Sequence, residues 1–338
     1  MHDINLSNFS LRTDLAIDEY KGENIWKYNK KNINKDIYVE EINIDKEDNK
    51  FNKKKGLYKT INFKDITDKD NFKLVLDTFI TEFKDMLRIN NIKDTDTVLI
   101  IGLGNIESTP DSLGPKTLKN ILVTRHLFTL GEVEEGYRSV AILEPSVTGT
   151  TGIETKDTIK SIVDTIKPDF VIVIDALATS SIDRLNKTIQ ITNSGITPGS
   201  GVNNSRISIS KEILNIPVIV IGIPTIIDSS VIVTNTIKYM MKKFSYDKDN
   251  INNKKDKLKY KIDYKEYEKE LSKKEKEYLL GIVGNLNEQE LMNLVVEVLN
   301  PIEYNYMVTP KEIDFLIEKM SLLLGKGLNS SLNEKYII

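Results

Sequence analysis

The feature that most constrains this sequence is a set of short, continuous aliphatic runs in the middle of the chain. They cover residues 98–101, 139–143, 170–174 and 218–221. Runs of this length and composition are typical of strands that are buried on both faces of a parallel sheet. Helical patterns lie between them at 113–127, 155–166 and 229–241. The alternation predicts an α/β fold in which a mostly parallel sheet is flanked by helices.

Additional elements are predicted at both ends of the chain. Alternating residues at 37–44 indicate a half-exposed strand, and apolar residues at helical spacing over 71–87 indicate an amphipathic helix. Two further amphipathic helices are predicted at 288–299 and 310–324. Residues 245–277 are rich in Lys, Asp, Glu, Asn and Tyr, and we interpret them as a charged insertion.

The amino-acid composition excludes several kinds of catalytic and structural site. The chain has no cysteine, which excludes disulfides, thiolate zinc sites and cysteine nucleophiles. Its two histidines are His2 and His126, so a histidine zinc site is almost unavailable and a Ser–His–Asp triad would have to use His126. The net charge of -3 argues against a dedicated nucleic-acid binder. Carboxylates are therefore the leading candidates to carry chemistry.

No targeting or membrane-spanning pattern is found in the sequence. The N-terminus lacks a basic region followed by an apolar one. No stretch approaches the roughly 18 continuous apolar residues that a membrane span needs. We expect a cytoplasmic protein that does not associate with membranes.

Two aspartates follow predicted strands at the edge of the sheet where sites of α/β proteins form. Asp175 comes directly after the run 170–174, and Asp111 lies where the loop after 98–101 enters its helix. Two carboxyls in one cleft have different pKa values, so that one is ionised while the other keeps its proton. Such a pair could activate a water and protonate a leaving amide nitrogen. It could equally bind a hard cation, or Asp111 could cap a helix and Asp175 anchor a loop. Spacing alone leaves these readings open.

Two glycine-rich segments are further candidates for binding loops. Gly102 and Gly104 begin a dinucleotide-binding pattern, but Glu107 stands where its third glycine is needed, which favours a tight turn over a nucleotide site. The loop 195–206 is rich in glycine and hydroxyl groups, including Gly199, Ser200, Gly201 and Asn203. It is either a flexible crossover or a set of N–H donors for a peptide backbone or an oxyanion.

Taken together, these motifs resemble the germination protease (spore protease) family of endospore-forming bacteria. The matching segments are 102–105, 109–115, 174–178, 198–204, 222–225 and 308–314. They extend over nearly the whole chain. The resemblance implies a fold similar to that of the hydrogenase maturation proteases, with additional N-terminal and C-terminal elements.

The resemblance implies a self-processing aspartic endopeptidase that is made as a zymogen. It would start the degradation of small acid-soluble spore proteins during germination, cutting after an acidic residue. The segment Asp14-Leu15-Ala16 has the form of such a site, which implies a propeptide of 1–14 and a single peptidase domain of 15–338. The family's two essential aspartates match Asp111 and Asp175.

The resemblance further implies a homotetramer in the cytoplasm of the forespore or spore core. We expect no metal, no cofactor and no direct nucleic-acid binding. Two alternatives stay open: a metal-dependent processing peptidase of the hydrogenase-maturation type, and a non-catalytic binding protein on the same scaffold.

Overall fold

A computed structural model describes residues 13–20, 26–46, 53–197, 208–251, 264, 267–299 and 306–336. The chain divides into two compact units, of which the larger comprises 12–226 and 309–338 and the smaller 1–11 and 227–308. The predicted charged insertion, 245–277, falls within the smaller unit. The division into a propeptide and one peptidase domain stays a prediction.

The larger unit is built on a sheet whose strands lie in the order β1-β2-β3-β7-β8-β6-β4-β5. The bounds in chain order are β1 (Lys27–Asn32), β2 (Ile37–Ile44), β3 (Gly56–Phe63), β4 (Val98–Gly102), β5 (Val140–Leu143), β6 (Phe170–Thr179), β7 (Thr188–Thr192) and β8 (Val218–Asp228). A short strand, β9 (Met307–Val308), pairs antiparallel with the last two residues of β8 within the smaller unit.

The predicted α/β class is confirmed, with helices flanking a central sheet, but the sheet is mixed. β4 pairs in parallel with both β5 and β6, as the aliphatic runs predicted. β1, β2, β3, β7 and β8 pair antiparallel in turn, so the expectation of a mostly parallel sheet is corrected. The tight turn 33–36 between β1 and β2 joins antiparallel neighbours, whereas parallel strands need a long crossover.

The helices are listed here in chain order. They are α1 (Ala16–Glu19), α2 (Lys69–Ile89), α3 (Leu113–Leu118), α4 (Arg125–Leu130), α5 (Thr148–Thr151), α6 (Thr155–Ile166), α7 (Lys211–Leu214), α8 (Ser229–Asn250), α9 (Lys273–Leu280), α10 (Glu288–Leu299) and α11 (Ile313–Leu332). None of the helices in the described part of the chain is long and apolar enough to cross a membrane.

The single helix predicted over 113–127 is two helices in the structure, because tertiary hydrogen bonds take up its backbone groups. The N–H of Leu122 donates to Asn329 Oδ1 on α11 at 2.9 Å. The N–H of Thr124 donates to the carbonyl of Val140 on β5 at 3.1 Å. These bonds break the helix between α3 and α4, a cause that the local pattern does not contain.

Three apolar clusters cover the two faces of the sheet in the larger unit. One face carries the main core, in which Phe79 and Phe83 of α2 and Leu324 and Leu328 of α11 are fully buried. Helix α6 covers the other face over the parallel strands. On that same face, over the antiparallel strands, a third cluster surrounds Leu15. The described N-terminal segment is thus part of the fold rather than an appendage.

Helices dominate the described part of the smaller unit. Asp228 caps α8 by accepting the N–H of Ser230 at 2.8 Å. The hydroxyl of Thr234 on α8 contacts the sulfur of Met292 on α10 at 3.6 Å, both side chains being buried. Ser272 forms a capping box at the start of α9.

Lys59 on β3 provides a test of how α2 is held to the sheet. Its Nζ lies 2.7 Å from Glu82 Oε2 and 2.5 Å from Asp85 Oδ2, both on α2, and Lys59 itself is 2% exposed. Replacing it by Met leaves the buried Glu82 carboxylate with only the more distant Lys31, whose Nζ lies 3.9 Å from Glu82 Oε1. We therefore expect the free energy of unfolding to fall by about 3 kcal/mol in urea denaturation. Lys64→Met, at a side chain that is 76% exposed, is the control and should change it by less than about 0.5 kcal/mol. Equal effects of the two substitutions would contradict this role for Lys59.

Candidate active site

Asp175 lies where β6 continues beyond the end of its neighbour β4. The last paired residues are Gly102 and Ile174, and the N–H of Leu103 donates to the carbonyl of Ile174 at 2.8 Å. Asp175 is the next residue, half-buried, with its Oδ1 accepting the N–H of Ala176 at 2.9 Å. The sequence predicted that Asp175 follows its strand, whereas it lies inside β6, which extends to Thr179.

Asp111 is held by the glycine turn that follows β4. It ends a short 3₁₀ turn that lies against β6, and its Oδ2 accepts the N–H of Asn105 at 2.9 Å. Gly104 has a φ of +112°, and a Cβ there would stand 1.9 Å from the carbonyl oxygen of Asp111, so only glycine permits this approach. The N-cap residue of α3 is Ser112 rather than Asp111, and its side chain makes no capping hydrogen bond. The turn is thus a support for Asp111.

The two carboxyls have different electrostatic environments. Burial raises the pKa of Asp175 well above its usual range, and the negative charges of Asp111 and Asp14 raise it further. Burial also raises the pKa of Asp111, but the N–H of Asn105 favours the ionised form and opposes that shift. Asp175 is therefore the carboxyl that keeps its proton to the higher pH.

The backbone around Asp14, the predicted cleavage residue, pairs with β6 just past Asp175. The N–H of Asp14 donates to the carbonyl of Ala178 at 3.0 Å, and the N–H of Ala178 donates back to Asp14 Oδ2 at 2.8 Å. The structure therefore brings three sequence-predicted residues, Asp14, Asp111 and Asp175, into one electrostatic neighbourhood.

Leu15, on the other side of the predicted cleavage bond, is completely buried. The cluster around it includes Ile42 and Ile44 of β2, Tyr58 of β3 and Leu177 of β6. Burial of a leucine side chain stabilises by about 1.5–3 kcal/mol. The segment is therefore fixed on both sides of the Asp14–Leu15 peptide bond.

Two charged side chains near the junction, Lys53 and Asp18, bind Thr13, the residue before Asp14. Lys53 Nζ donates to the carbonyl of Thr13 at 2.8 Å. Burial lowers the pKa of Lys53, and the negative charge of Asp14 is the strongest influence that opposes the shift. Asp18 Oδ2 accepts from the hydroxyls of Thr13 at 2.6 Å and Thr179 at 2.7 Å. These contacts tie the junction to the end of β6.

Asp18 is in turn part of a buried polar network with β2 and β3. Arg184 Nε lies 3.2 Å from Asp18 Oδ1, and its Nη1 donates to Glu40 Oε2 at 3.0 Å and to Asn62 Oδ1 at 2.7 Å. Asn62 Nδ2 also donates to the Glu40 carboxylate at 2.9 Å. One guanidinium therefore links the segment after the junction to two strands of the sheet.

Several candidates from the sequence do not join this site. Gly199, Ser200, Gly201 and Asn203 lie outside the described residues, so their role as a binding loop stays a prediction. His126 is exposed on α4. Within the described ranges, His, Cys, Asp and Glu form no group of three or more that could hold a metal ion.

Sequence reasoning missed the residues that bind the junction. Ala178 ends the matching segment 174–178, but it acts through its backbone, a role that the sequence did not predict. Lys53 and Gln190 reach the junction from distant parts of the chain, whereas Asp18 lies close to it in the sequence. Nothing local distinguishes these residues from other polar residues of similar strands and turns.

Comparison with known proteins decides the family. A sequence model of the germination protease family matches residues 13–336. The chain belongs to the germination protease family. The germination protease of Bacillus licheniformis is 42% identical over 355 residues, covering 98% of this chain and 95% of the relative. The germination proteases of Geobacillus sp. and Bacillus subtilis are 42% and 39% identical, each covering 98% of this chain and 96% of the relative.

A solved structure with some likeness is the [NiFe] hydrogenase maturation protease HycI from Thermococcus kodakarensis KOD1. It is 19% identical, with a TM-score of 0.29, and the match covers 43% of this chain and 80% of that one. Family membership confirms the coarser expectation: this is a hydrolase, a protease of spore germination.

The environment of Asp175 predicts a pH-dependent stability. Its pKa is higher in the folded chain than in the unfolded one, so between those two pKa values the folded state binds more protons and stability falls as pH rises. Asp175→Asn carries no charge and should have the higher Tm at pH 8, by roughly 2–4 °C for each kcal/mol, and a nearly equal Tm at pH 4. Asp164→Asn, at an exposed residue of α6, controls for loss of a surface charge. A wild-type chain that matches Asp175→Asn at pH 8 would refute the assignment.

Proposed function

We propose that this germination protease is a self-processing aspartic endopeptidase, made as a zymogen, that starts the degradation of small acid-soluble spore proteins. It cuts after an acidic residue, and its own junction is the Asp14–Leu15 bond. The observation that carries the proposal is the hydrogen-bonded pairing of Asp14 with Ala178, further along β6 from Asp175. An acidic residue followed by a buried leucine is thus bound to the strand that carries Asp175, and a pair of carboxyls such as Asp175 and Asp111 can hydrolyse peptide bonds.

The two carboxyls take different roles in this mechanism. Asp111, whose ionised form is favoured by the Asn105 N–H, accepts a proton from a water as the water oxygen bonds to the carbonyl carbon of Asp14. Asp175, which keeps its proton to higher pH, donates it to the nitrogen of Leu15 as the C–N bond breaks. The products are a carboxyl at Asp14 and a free amine at Leu15.

The junction also supports a model for zymogen inhibition. Asp14 occupies hydrogen-bonding groups of Ala178 that an extended substrate would otherwise use, in the manner of strand addition to a sheet edge. A substrate with an acidic residue before the cut and an aliphatic residue after it matches the contacts made by Asp14 and Leu15. Until residues 1–14 leave, the same groups are filled in cis.

Substrates, assembly and location are part of the proposal. Small acid-soluble spore proteins are the partners, in the cytoplasm of the forespore or spore core, and the enzyme works as a homotetramer. It degrades proteins that associate with DNA without binding DNA itself, consistent with a net charge of -3. It has no membrane partner.

Asparagine at either site aspartate tests the mechanism. Asp111→Asn removes the base and Asp175→Asn removes the acid, so each should slow both self-processing and cleavage of a small acid-soluble spore protein by about 10²–10⁴-fold. Intact mass and N-terminal sequencing report whether 1–14 is lost with Leu15 as the new terminus. Asp164→Asn is the control and should process normally. Normal cleavage in both site variants would refute the carboxyl-pair mechanism.

Metal removal tests the alternative chemistry. Dialysis against a chelator should leave self-processing unchanged in rate, because the proposed steps use only the two carboxyls and water. Loss of processing that is restored by adding a divalent cation would instead support the metal-dependent peptidase.

A further inference from the structure

The side chain of Gln190 spans the proposed cleavage junction. Its Oε1 accepts the N–H of Ala16 at 2.9 Å, and its Nε2 faces the carbonyl oxygen of Asp14 at 3.5 Å. That oxygen belongs to the peptide bond between Asp14 and Leu15. Gln190 is 5% exposed and lies in the middle of β7, a rigid position within the sheet. One amide group therefore contacts the backbone on both sides of Leu15.

The orientation of this amide is fixed by its partners. The backbone nitrogen of Ala16 can only donate, so the atom of Gln190 that faces it must be the acceptor, Oε1. The donor, Nε2, is then left on the side of the Asp14 carbonyl. The 2.9 Å hydrogen bond to Ala16 therefore fixes the orientation of the amide, so that its N–H group is directed at the Asp14 carbonyl oxygen.

The fold brings Gln190 to the same face of the sheet as Asp175. Ile189 and Ile191 point into the main core, so Gln190 points to the opposite face. On β6, Ile174 points into the main core and Leu177 into the cluster around Leu15, which leaves Asp175 on the opposite face as well. The carboxyl and the amide thus approach the junction from the same side of the sheet.

Gly222 leaves room for the side chain of Leu177 between Gln190 and β6. It is paired with Gln190 across β7 and β8. A Cβ at Gly222 would stand 2.3 Å from Leu177 Cδ1, so Leu177 lies over the glycine and reaches the cluster around Leu15. A side chain on residue 222 would displace Leu177 and, with it, the support of the junction.

We propose that Gln190 is a catalytic residue that binds the oxygen of the scissile carbonyl, and that its other amide atom binds the N–H of the second residue after the cut. This inference rests on the proposed function, since it takes Asp14–Leu15 as the bond that is broken. Gln190 acts in cis on the junction and in trans on substrate proteins, whose backbone takes the path of Thr13 to Ala16.

The chemical role follows from how the carbonyl changes during the reaction. When the water oxygen bonds to the carbonyl carbon and its proton passes to Asp111, the carbonyl oxygen becomes an oxyanion. Nε2 of Gln190 donates to that oxyanion, and the 3.5 Å contact shortens. The oxyanion then reforms the carbonyl as the C–N bond breaks and the proton of Asp175 moves to Leu15 nitrogen. The donor stabilises the transition state more than the ground state, so it raises kcat.

The experiment measures kcat and KM on a synthetic peptide of residues 9–20 with chains that begin at Leu15, in which the junction no longer fills the site. The rate of self-processing is measured separately on the full chain. Gln190→Glu keeps the acceptor for Ala16 and loses the donor, whereas Gln190→Leu loses both. We expect kcat to fall by about 10²–10³-fold in both variants, as for the loss of one oxyanion donor. KM should rise in Gln190→Leu more than in Gln190→Glu.

A modified peptide tests the acceptor without changing the protein. N-methylation of the nitrogen that corresponds to Ala16 removes the N–H that Oε1 binds. It should raise KM for the wild-type enzyme and have no further effect on KM in Gln190→Leu, since the interaction is already lost there. Thr192→Val, at the same face of β7 with its hydroxyl bonded to Ser194, is the matched control and should leave kcat unchanged. Thermal unfolding of each variant shows that the fold is retained.

Each outcome separates this inference from the function on which it rests. If the wild-type enzyme cuts the peptide at Asp14–Leu15 and the Gln190 variants have unchanged kcat, the carbonyl-binding role is overturned and the proposed function stands. A rise in KM alone overturns it too, because it marks Gln190 as a residue that only binds. If the wild-type chain cuts neither itself nor the peptide at this bond, the proposed function fails and this inference fails with it.

Discussion

The site depends on a difference in length between two neighbouring strands. β4 ends at Gly102, opposite Ile174, while β6 continues to Thr179. Beyond that point the edge of β6 has backbone groups that β4 no longer satisfies. Unpaired buried backbone groups are costly, so another segment has to take them up. The N-terminal segment does so, since Asp14 bonds both the N–H and the carbonyl of Ala178.

The same strand end gives the two carboxyls unequal environments. Asp175 is carried by the rigid strand, next to the carboxyl groups of Asp111 and Asp14, which raise its pKa beyond the effect of burial. Asp111 is carried by a loop whose backbone donates a hydrogen bond to it. Pairs of acids separated in this way can divide general-acid and general-base work. The asymmetry arises from which element supplies each residue rather than from the residue type.

Recognition and inhibition would share one surface under the proposed function. Lys53, Asp18, Gln190 and the backbone of Ala178 all bind the segment from Thr13 to Ala16. Most of them are supplied by strands or by residues that a buried network anchors to strands, such as the Arg184 link between Asp18 and Glu40. Sites supported in this way keep their geometry when one occupant leaves and another enters. Under the proposed function, the junction bound in cis would then be a template for a substrate bound in trans.

The sequence by itself determined the α/β class and the parallel core strands, and it predicted Asp111 and Asp175 as the carboxyls of the site. Aliphatic runs and helical spacing are local consequences of burial, and the absence of cysteine and scarcity of histidine leave carboxylates for chemistry. The sequence also predicted the tight turn at Gly102 and Gly104 that follows β4. Only the tertiary structure decided that β6 extends beyond the end of β4, that the N-terminal strands pair antiparallel, and that α3 and α4 are separate helices. It alone brought Gln190 and Lys53 to the junction, because such contacts depend on strand order and register, which residues far apart in the chain determine together.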